Sequence, residues 1–515
     1  MKAVFILLDS LNRRFLSAYS SAAGNDAGGA LTPNIDRLAS RSVIFDNHWC
    51  GSAPCMPARR DIMTGRLNFL ERPWGGIEPF DQPLAQILKT KNVYTHMETD
   101  HYHYSERGGE NYWGAFTSWQ LHRGAENDTI LWGPDKTGIP HPPQPDNYCG
   151  VFRPSYEKIR EANQGRKERY STSKVFSSAA EWLEKNKDAD NYMLWVEGFD
   201  PHEPFDVPEE FLRMYTNDCA DDGSGGFWPN YKPNDNFTGE QIAGFITHYK
   251  ALVSMADYNL GKILDVLEKN NMFDDTLVVL TTDHGFMLGE HGFLGKNYMP
   301  DYNEIFHIPL MVAAPGVSAG RCSALTQNID FYPTFLEWFG ADPSAWTNPL
   351  HGRSLIPLLR GKSSKVRDAA LFGMFGKTVS MTDGDYVYSR AAKEGNQPLN
   401  IYAAMPTLLN RYLGYGTINE EDYGSIQLGS LRWTTYPVYK IPSSITRADS
   451  ASLNFTRINQ YIDGSKLYSL KNDYAQTSPI DDEDLEQRYI EKLIETMRLH
   501  DAPEEQFIRL GLDQY

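Results

Sequence analysis

Cysteine is scarce in this sequence. The chain of 515 residues contains five cysteines: Cys50, Cys55, Cys149, Cys219 and Cys322. An odd and sparse set of this kind predicts no disulfide framework, and no CxxC pair is present for redox or zinc chemistry. A thiol with a chemical role must therefore be recognised from the residues around it.

Long apolar stretches are also missing. The longest runs, such as VFILL and TLVVL, have the length of a β-strand, whereas a membrane-spanning helix needs about 20 apolar residues. The N-terminal run in MKAVFILLDS stops at Asp9 and lacks the small-residue cleavage site of a signal peptide. We therefore expect this run to be the first strand of the fold and the protein to be cytoplasmic, although a chain trimmed of its leader would look the same.

Basic residues are outnumbered. The chain has 49 lysines and arginines against 67 aspartates and glutamates, which gives a formal net charge of −18. Nucleic-acid-binding domains normally carry a basic patch, so this balance argues against general nucleic-acid binding. The 41% hydrophobic and 23% charged residues are ordinary for a globular protein, and the length allows two to four domains or one large α/β domain with a smaller partner.

Short apolar runs that end in polar residues recur along the first 300 residues. Continuous runs of this length are typical of strands that are buried on both faces of a parallel sheet. The four runs are AVFILL before Asp9-Ser10, VYTHMET before Asp100–His103, YMLWVEGF before Asp200–His202, and TLVVLTT before Asp283–Gly285.

Amphipathic helical patterns lie between these runs, over residues 32–42, 173–187 and 239–270. The last pattern fits either one long helix or two short ones. Alternating strands and helices predict an α/β fold, with a large, mostly parallel sheet sandwiched by helices. Ligands bind beyond the carboxyl ends of the strands in such sheets, so we expect the polar clusters to meet at one site.

The pattern changes after about residue 365. ALFGMFGKTVSMTDGDYVYSR predicts antiparallel strands around an Asp-Gly turn, and a helix is expected near 483–500. Residues 400–450 show no clear period and are interpreted as long loops. We therefore predict a catalytic α/β domain over 1–365 and a smaller C-terminal α+β domain over 366–515.

Asp9, Asp283 and His284 are candidate metal ligands, since two carboxylates and an imidazole at strand ends suit a divalent ion. The alternative is a helix-capping Asp9 and a loop histidine at 284. Lys296 follows the glycine-rich GEHGFL, which could bend it over the site, or it could be a solvated lysine. His202 lies between prolines in FDPHEPF, which predicts a rigid loop. A histidine held in this way could be a general acid or an anion ligand. The alternative is a loop histidine that is hydrogen-bonded to the backbone.

Cys55 is followed by Pro57, Arg59 and Arg60, and cations beside a thiol favour reactivity. Known thiol chemistries do not fit, however. A phosphatase loop requires arginine six positions after the cysteine, where this chain has Asp61. The papain-type signature is also absent. An unmodified Cys55 nucleophile thus has little support.

The segment CMPARRDIMTG matches the C-x-P-x-R-x-x-x-x-T-G signature of type I sulfatases, in the alkaline phosphatase superfamily. Residues 1–365 resemble this family well, and KLYSLKND resembles its C-terminal end. Further segments follow in the family's order: Asp9 after the first strand, TPNIDRLA at 32–39, PHEPF at 201–205, DHGFMLGEHG with Lys296, and IPLMVAAPG at 308–316.

The resemblance implies a modified cysteine. In the family, this cysteine is oxidised to formylglycine by a formylglycine-generating enzyme that reads the proline and arginine. One hydroxyl of the aldehyde hydrate attacks sulfur and expels the alcohol, and the other then loses its proton so that sulfate leaves. Cys55 would carry this group and Arg59 would stabilise its oxygen, while Lys296 and His202 would hold the sulfuryl oxygens and assist the leaving alcohol.

The resemblance also implies one divalent metal, Ca²⁺ by family habit, held by Asp9, Ser10, modified Cys55, Asp283 and His284. The substrate would be a small-molecule or saccharide sulfate ester. Aromatic residues within 107–124 and 429–439 could stack on a sugar or aryl group, or could pack against the domain. The oligomeric state stays open, a homo-oligomer included.

The chain departs from the family pattern in three places. Ser10 stands where many sulfatases have a second aspartate, and His284 where many have asparagine; an imidazole moves the expectation towards Mn²⁺ or Zn²⁺. The segment ETDHYHY at 98–104 lacks the family's sulfate-binding lysine. His101 or His103 would supply the base for the hydrate proton, and spacing favours His103; a strand edge with outward histidines is the alternative.

Two rival functions remain at this stage. A phosphonate monoester or phosphodiester hydrolase would use the same site. A metal site with fewer carboxylates repels an anionic substrate less, so it better tolerates a substrate that carries an additional negative charge. Ser10 therefore supports this alternative. An inactive binding protein on the same scaffold is disfavoured, because it would be free to lose Cys55, Arg59 and Asp283.

Overall fold

The structure is a computed structural model of the chain. It describes residues 1–22, 29–126, 128–130, 154–217, 228–229, 237–341, 348–408, 411–413, 417–446 and 464–515. Cys149 and Cys219 lie outside the described residues.

Within these residues, eight strands form one large sheet in the order β11-β2-β10-β7-β1-β6-β4-β5. The strands are β1 (Lys2–Leu8), β2 (Val43–Phe45), β4 (Tyr94–Thr99), β5 (Ser118–Leu121), β6 (Tyr192–Gly198), β7 (Thr276–Thr281), β10 (Leu310–Ala313) and β11 (Gly320–Cys322). Two two-stranded sheets accompany it: β3 (His48–Trp49) with β12 (Thr326–Gln327), and β8 (Met287–Leu288) with β9 (Leu294–Gly295).

Strand β1 lies in the middle of the large sheet and pairs in parallel with β6 and β7. All seven of its residues are buried, because side chains alternate between two covered faces. Val4, Ile6 and Leu8 belong to one apolar core, while Phe5 and Leu7 belong to a core on the opposite face. Since β10 is antiparallel to its neighbours, the sheet is mostly parallel, and the predicted α/β class is confirmed.

Helices cover both faces of the sheet. On one face, α5 and α7 contribute Phe176 and Leu260 to the core, and on the other face α2 and α9 contribute Ile62 and Phe335. The helices are α1 (Pro33–Ala39), α2 (Cys55–Thr64), α3 (Leu84–Thr90), α4 (Pro154–Asn163), α5 (Ser171–Asn186), α6 (Glu209–Leu212), α7 (Gly239–Lys269), α8 (Asn303–Phe306), α9 (Phe331–Trp338), α10 (Ile356–Leu359), α11 (Glu483–Leu499) and α12 (Glu504–Arg509).

The long amphipathic pattern forms a single helix, α7, of 31 residues. It begins with a capping box, in which the Thr238 side chain accepts from the Gln241 backbone and the Gln241 side chain accepts from the Thr238 backbone. Across the part of the chain that the structure describes, no helix combines the length and apolar character that a membrane crossing requires.

The C-terminal part forms a smaller antiparallel sheet in the order β13-β14-β15-β21. Helix α11 packs on it, and its Leu493 and Met497 share one apolar core with Leu371 and Met381. This confirms a smaller C-terminal sheet domain, while its boundary at 365/366 stays a prediction. The strands are β13 (Ala370–Gly373), β14 (Val379–Thr382), β15 (Tyr386–Arg390) and β21 (Lys466–Ser469).

The interpretation of residues 400–450 as long loops is wrong for much of this stretch. Strands β16 (Asn400–Ala403), β20 (Val438–Pro442) and β19 (Gln427–Gly429) form a three-stranded antiparallel sheet, and β17 (Thr407–Leu408) pairs with β18 (Arg411–Tyr412). Strands of two to five residues are too short to establish a visible period, and their partners lie up to about 40 residues apart in sequence.

Candidate active site

The polar ends of two neighbouring strands meet the start of helix α2. Asp9 follows β1 and Asp283 comes shortly after β7, and these strands are paired in parallel. One ligand atom each from Asp9, Cys55, Asp283 and His284 lies within 4.8 Å of all the others, and all four residues are buried. The sheet thus brings together side chains that are far apart in sequence, as the strand-end argument predicts.

Cys55 is the first residue of helix α2, which ends at Thr64 with Gly65 in the left-handed conformation at φ 67°. The Thr-Gly pair of the motif is therefore the helix end, where glycine is favoured. The Cys55 Sγ lies 3.2 Å from His284 Nε2 and 3.9 Å from Asp9 Oδ1. Burial raises the pKa of the Cys55 thiol well above its ordinary value, and Asp9 raises it further, so the unmodified thiol is a poor nucleophile.

Arg59 lies one helical turn after Cys55 and points into the same cluster. Its Nη1 donates to Asp283 Oδ2 at 2.6 Å and approaches the Cys55 carbonyl oxygen at 3.3 Å, while Nη2 lies 2.9 Å from Asp9 Oδ2. The i to i+4 spacing places both side chains on one helix face. The side chain is fully buried, and Arg59 therefore supplies a fixed positive charge beside the thiol.

The donor set of this cluster fits a divalent metal. His284 Nδ1 donates to the Gly285 carbonyl at 2.8 Å, so its Nε2 lone pair faces Cys55; metal-binding histidines commonly use their second nitrogen in this way. Burial lowers the pKa of His284 and keeps the ring neutral. Burial acts to raise the pKa of Asp9, but Arg59 and Lys296 outweigh it and hold the pKa at about 2. The carboxylate is thus ionised, and its buried Oδ2 forms an ion pair with Arg59 but, among the described residues, has no well-aligned hydrogen bond.

Ser10 lies at the same place but is already engaged by protein groups. Its backbone is in the left-handed region at φ 62°, and its N–H donates to Asp283 Oδ1 at 3.0 Å. Its hydroxyl donates to Asp9 Oδ1 at 2.8 Å and accepts from Lys296 Nζ at 3.0 Å. Ser10 therefore orients two carboxylates, and its role as a metal ligand stays a prediction.

Lys296, just after β9, projects over the cluster. Besides Ser10, its Nζ contacts Glu203 Oε1 and Oε2 at 3.4 Å and lies 4.0 Å from Asp9 Oδ1. Burial acts to lower the pKa of Lys296, but the acidic groups around it, Cys55 first and then Glu203 and Asp9, outweigh burial and raise the pKa. Lys296 is therefore an ammonium ion at neutral pH.

His202 is buried next to Lys296 in the loop after β6. Its Nδ1 donates to the backbone carbonyl of Glu203, which leaves Nε2 as the unprotonated nitrogen of a neutral ring. Burial, followed by the positive charge of Lys296, lowers the pKa of His202 well below its usual value. The geometry thus makes His202 a hydrogen-bond acceptor at Nε2 in the free protein.

The two histidines after β4 differ in charge. His103 has a carboxylate at each ring nitrogen, Glu106 at 2.9 Å and Glu126 at 3.1 Å, so both nitrogens donate and the ring is a cation. Although burial acts to lower it, these carboxylates raise the pKa of His103 to about 10. His101 is buried with Nδ1 3.7 Å from Asp9 Oδ2, and burial together with Arg59 lowers its pKa well below the usual value.

The alternative of an outward-facing strand edge does not hold for this segment. Strand β4 ends at Thr99, and a short 3₁₀ helix over Tyr102–Ser105 turns the chain after it. His101 is fully buried. The role of His103 as the base stays a prediction, and so does that of His101, whose neutral ring lies beside Asp9.

The sequence patterns do not single out four acidic residues of the site: Glu106, Glu126, Glu197 and Glu203. Glu197 is fully buried and contacts Arg59, and Glu203 contacts Lys296. A signal for Glu197 was present, since it is the one charged residue in the apolar run YMLWVEGF. A charge inside a strand that is buried on both faces requires a partner. Glu126 lies on a loop whose sequence carries no comparable signal.

Comparison with known proteins identifies what this chain resembles. The profile of the family described as Sulfatase matches residues 2–341. An N-acetylglucosamine-6-O-sulfatase of Bacteroides thetaiotaomicron is 24% identical over 428 residues, covering 71% of this chain and 72% of the relative. A choline-sulfatase of Rhizobium meliloti is 24% identical over 416 residues, covering 73% and 77%. The crystal structure of a phosphonate monoester hydrolase of Agrobacterium radiobacter has a TM-score of 0.65 at 18% identity, covering 97% and 96%.

Proposed function

The chain belongs to the sulfatase family and is a sulfuric ester hydrolase, and on that premise we propose that it cleaves a small sulfate ester with a formylglycine derived from Cys55. The observation that carries this proposal is the position of the Cys55 thiol. It lies inside a ring of Asp9, Asp283 and His284, with Arg59 directly behind. Burial raises the pKa of this thiol and so disfavours a thiolate nucleophile, whereas a hydroxyl-bearing group at that position would lie beside His284 and Asp9, which the thiol already contacts.

The two groups implied by the family supply the reactivity. A formylglycine at position 55 would supply a hydrate with two hydroxyls, one for attack on sulfur and one for release of the sulfate. Asp9, Ser10, Asp283, His284 and the modified Cys55 would hold a divalent ion, which would supply Lewis-acid chemistry to a bound sulfuryl group. We propose Ca²⁺ as the ion, following the family. Mn²⁺ and Zn²⁺ are the alternatives, because they accept an imidazole ligand such as His284. The modification requires a formylglycine-generating enzyme as partner.

The remaining residues bind and move protons. Arg59 places its charge where negative charge develops on the side chain at position 55. Lys296 directs two of its three N–H bonds at Ser10 and Glu203, which leaves a third for a sulfuryl or leaving-group oxygen. His202 positions the departing group through Nε2. Because His103 is already a cation, we propose the neutral His101 as the group that takes the proton of the hydrate.

The test of this function compares two substrate classes on one fully modified preparation. A nitrophenyl sulfate should be hydrolysed with a higher kcat/KM than a nitrophenyl phosphonate, and addition of a chelator should abolish both activities. The second candidate, a phosphonate monoester or phosphodiester hydrolase, is supported by Ser10, which leaves the site one carboxylate poorer than in many sulfatases. A preference for the phosphonate would replace the first function by the second.

We expect Lys296→Ala to slow alkyl sulfates far more than nitrophenyl sulfate. An alkyl alcohol needs a proton as its bond to sulfur breaks, whereas an acidic phenol leaves without help, and general acid assistance is worth ~10²–10⁴-fold. Lys296 carries protons at neutral pH, whereas the Nδ1 proton of His202 is engaged by the Glu203 carbonyl. His202→Ala should therefore slow both substrates by similar factors, as measured by kcat/KM on each.

The matched control is Lys262→Ala. Lys262 is a partly buried lysine on α7 that contacts Ser173 and Ser177, away from the cluster, and its loss should leave the ratio of the two rates unchanged. If His202→Ala rather than Lys296→Ala selectively slows the alkyl ester, the assignment of the proton donor is reversed.

A further inference from the structure

Glu197 lies at the middle of the large sheet, on β6, and its carboxylate is completely enclosed by side-chain donors. Trp195 Nε1 donates to Oε1 at 2.8 Å and the Tyr104 hydroxyl donates to the same oxygen at 3.0 Å. Thr99 Oγ1 and Arg59 Nε donate to Oε2 at 3.3 and 3.4 Å. Four donors from four different elements therefore hold this carboxylate in one orientation.

The guanidinium of Arg59 therefore contacts carboxylates on two of its edges. Its Nη atoms face Asp283 and Asp9 at 2.6 and 2.9 Å, and its Nε edge faces Glu197. Asp9 and Asp283 are the carboxylates proposed to hold the divalent ion, so Arg59 and that ion compete for the same negative charge. Of the three carboxylates around Arg59, Glu197 is the one outside the proposed metal site. It is linked to that site through Arg59.

We propose that Glu197 is a positioning residue that holds Arg59 in place and offsets its charge, so that Asp9 and Asp283 stay available to a divalent cation. The inference rests on the proposed function for the role of Arg59, but its effect on cation binding does not depend on turnover. Without the Glu197 charge, Arg59 would be drawn more strongly to the two aspartates, and the positive potential at the metal position would rise. Both changes weaken cation binding.

The experiment uses Glu197→Gln in the full chain with Cys55 unmodified, titrated with Mn²⁺ and with Ca²⁺ by calorimetry. Glutamine preserves the shape and can still accept from Trp195 and Tyr104, but it removes the charge. Groups that orient metal ligands are typically worth about 10–100-fold in metal affinity or activity. We therefore expect Kd for the cation to rise by about 10–100-fold, and kcat of the modified enzyme to fall by a similar factor with little change in KM.

The matched control is Glu98→Gln. Glu98 is equally buried on β4, the strand next to β6, but its carboxylate bonds to His96, His122 and Ser178 instead of Arg59. It should bind Mn²⁺ as the parent protein does. Equal loss of affinity in both variants, or an unchanged Kd in Glu197→Gln, would overturn the inference.

A second variant covers the case in which Glu197→Gln does not fold. Tyr104→Phe removes one of the hydrogen bonds that orient Glu197 and is expected to raise Kd for Mn²⁺ several-fold, and an unchanged Kd there also refutes the inference. Failure of the proposed function has a different signature: weakened Mn²⁺ binding by Glu197→Gln together with no sulfate ester hydrolysis by the modified parent enzyme.

Discussion

Replacing Cys55 with alanine is expected to reduce sulfate ester hydrolysis by about 10⁴-fold or more, since loss of a covalent nucleophile typically has effects of this size. The protein should still fold, because the side chain lost is small and lies at the N-terminal end of α2 rather than in an apolar core. The measurement is kcat/KM on nitrophenyl sulfate, together with thermal unfolding of both proteins.

Mass spectrometry of the same preparation separates the modification from the activity. Peptide mapping of protein made together with a formylglycine-generating enzyme should show the aldehyde at position 55 and an intact thiol at position 50. Cys50 is also buried, with its Sγ donating to the Ser52 carbonyl at 3.3 Å, but proline and arginine do not follow it at the required spacing. Cys50→Ala is thus the matched control and should keep its activity. Full activity in Cys55→Ala would refute the mechanism.

The second large effect is expected from Asp283→Ala. This change removes one of the two carboxylates in the cluster and leaves Arg59 without its shortest contact, 2.6 Å from Nη1 to Oδ2. We expect kcat to fall by about 10²–10³-fold, because loss of this ligand would remove the cation that stabilises negative charge developing in the transition state. Binding of Mn²⁺ or Ca²⁺, measured by calorimetry, should be lost as well, and Asp9→Ala should behave in the same way.

The control for Asp283 is Asp301→Asn. Asp301 is also a buried aspartate, but it accepts from Thr378 and Ser380 at 2.8 Å and has no contact with the cluster among the described residues. It should lose some stability and keep cation binding. An Asp283→Ala protein that binds the cation normally would show that these strand-end carboxylates do not form the metal site.

Much of the architecture was predictable from local patterns. The four apolar runs that end in polar residues correspond to β1, β4, β6 and β7, and the antiparallel strands around the Asp383-Gly384 turn correspond to β14 and β15. Periodicity of side chains is a local property, so it can be read from consecutive residues. The family was also identifiable, because its signature CMPARRDIMTG occupies one continuous helix, α2, with the Gly65 cap.

Other features depended on contacts between distant segments. The pattern over residues 239–270 fits either one helix or two, and in the structure it is the single helix α7. The strands within 400–450 are stabilised by partner strands that no local periodicity indicates. The charge of His103 depends on Glu106, three residues further along the chain, and on Glu126, which reaches it from a separate loop. The residues immediately around His103 indicate only the first of these two contacts.

The sequence by itself determined the α/β sheet and the sulfatase signature around Cys55, and it predicted that the aspartates and His284 lie at strand ends. Only the tertiary structure decided how these groups act on one another. Ser10 bridges Asp9 and Lys296, His202 directs its Nδ1 proton away to a backbone carbonyl, and Glu197 supports Arg59 from within β6. The physical reason is that residue types specify which charges and donors exist, whereas protonation and orientation depend on burial and on neighbours within about 4 Å.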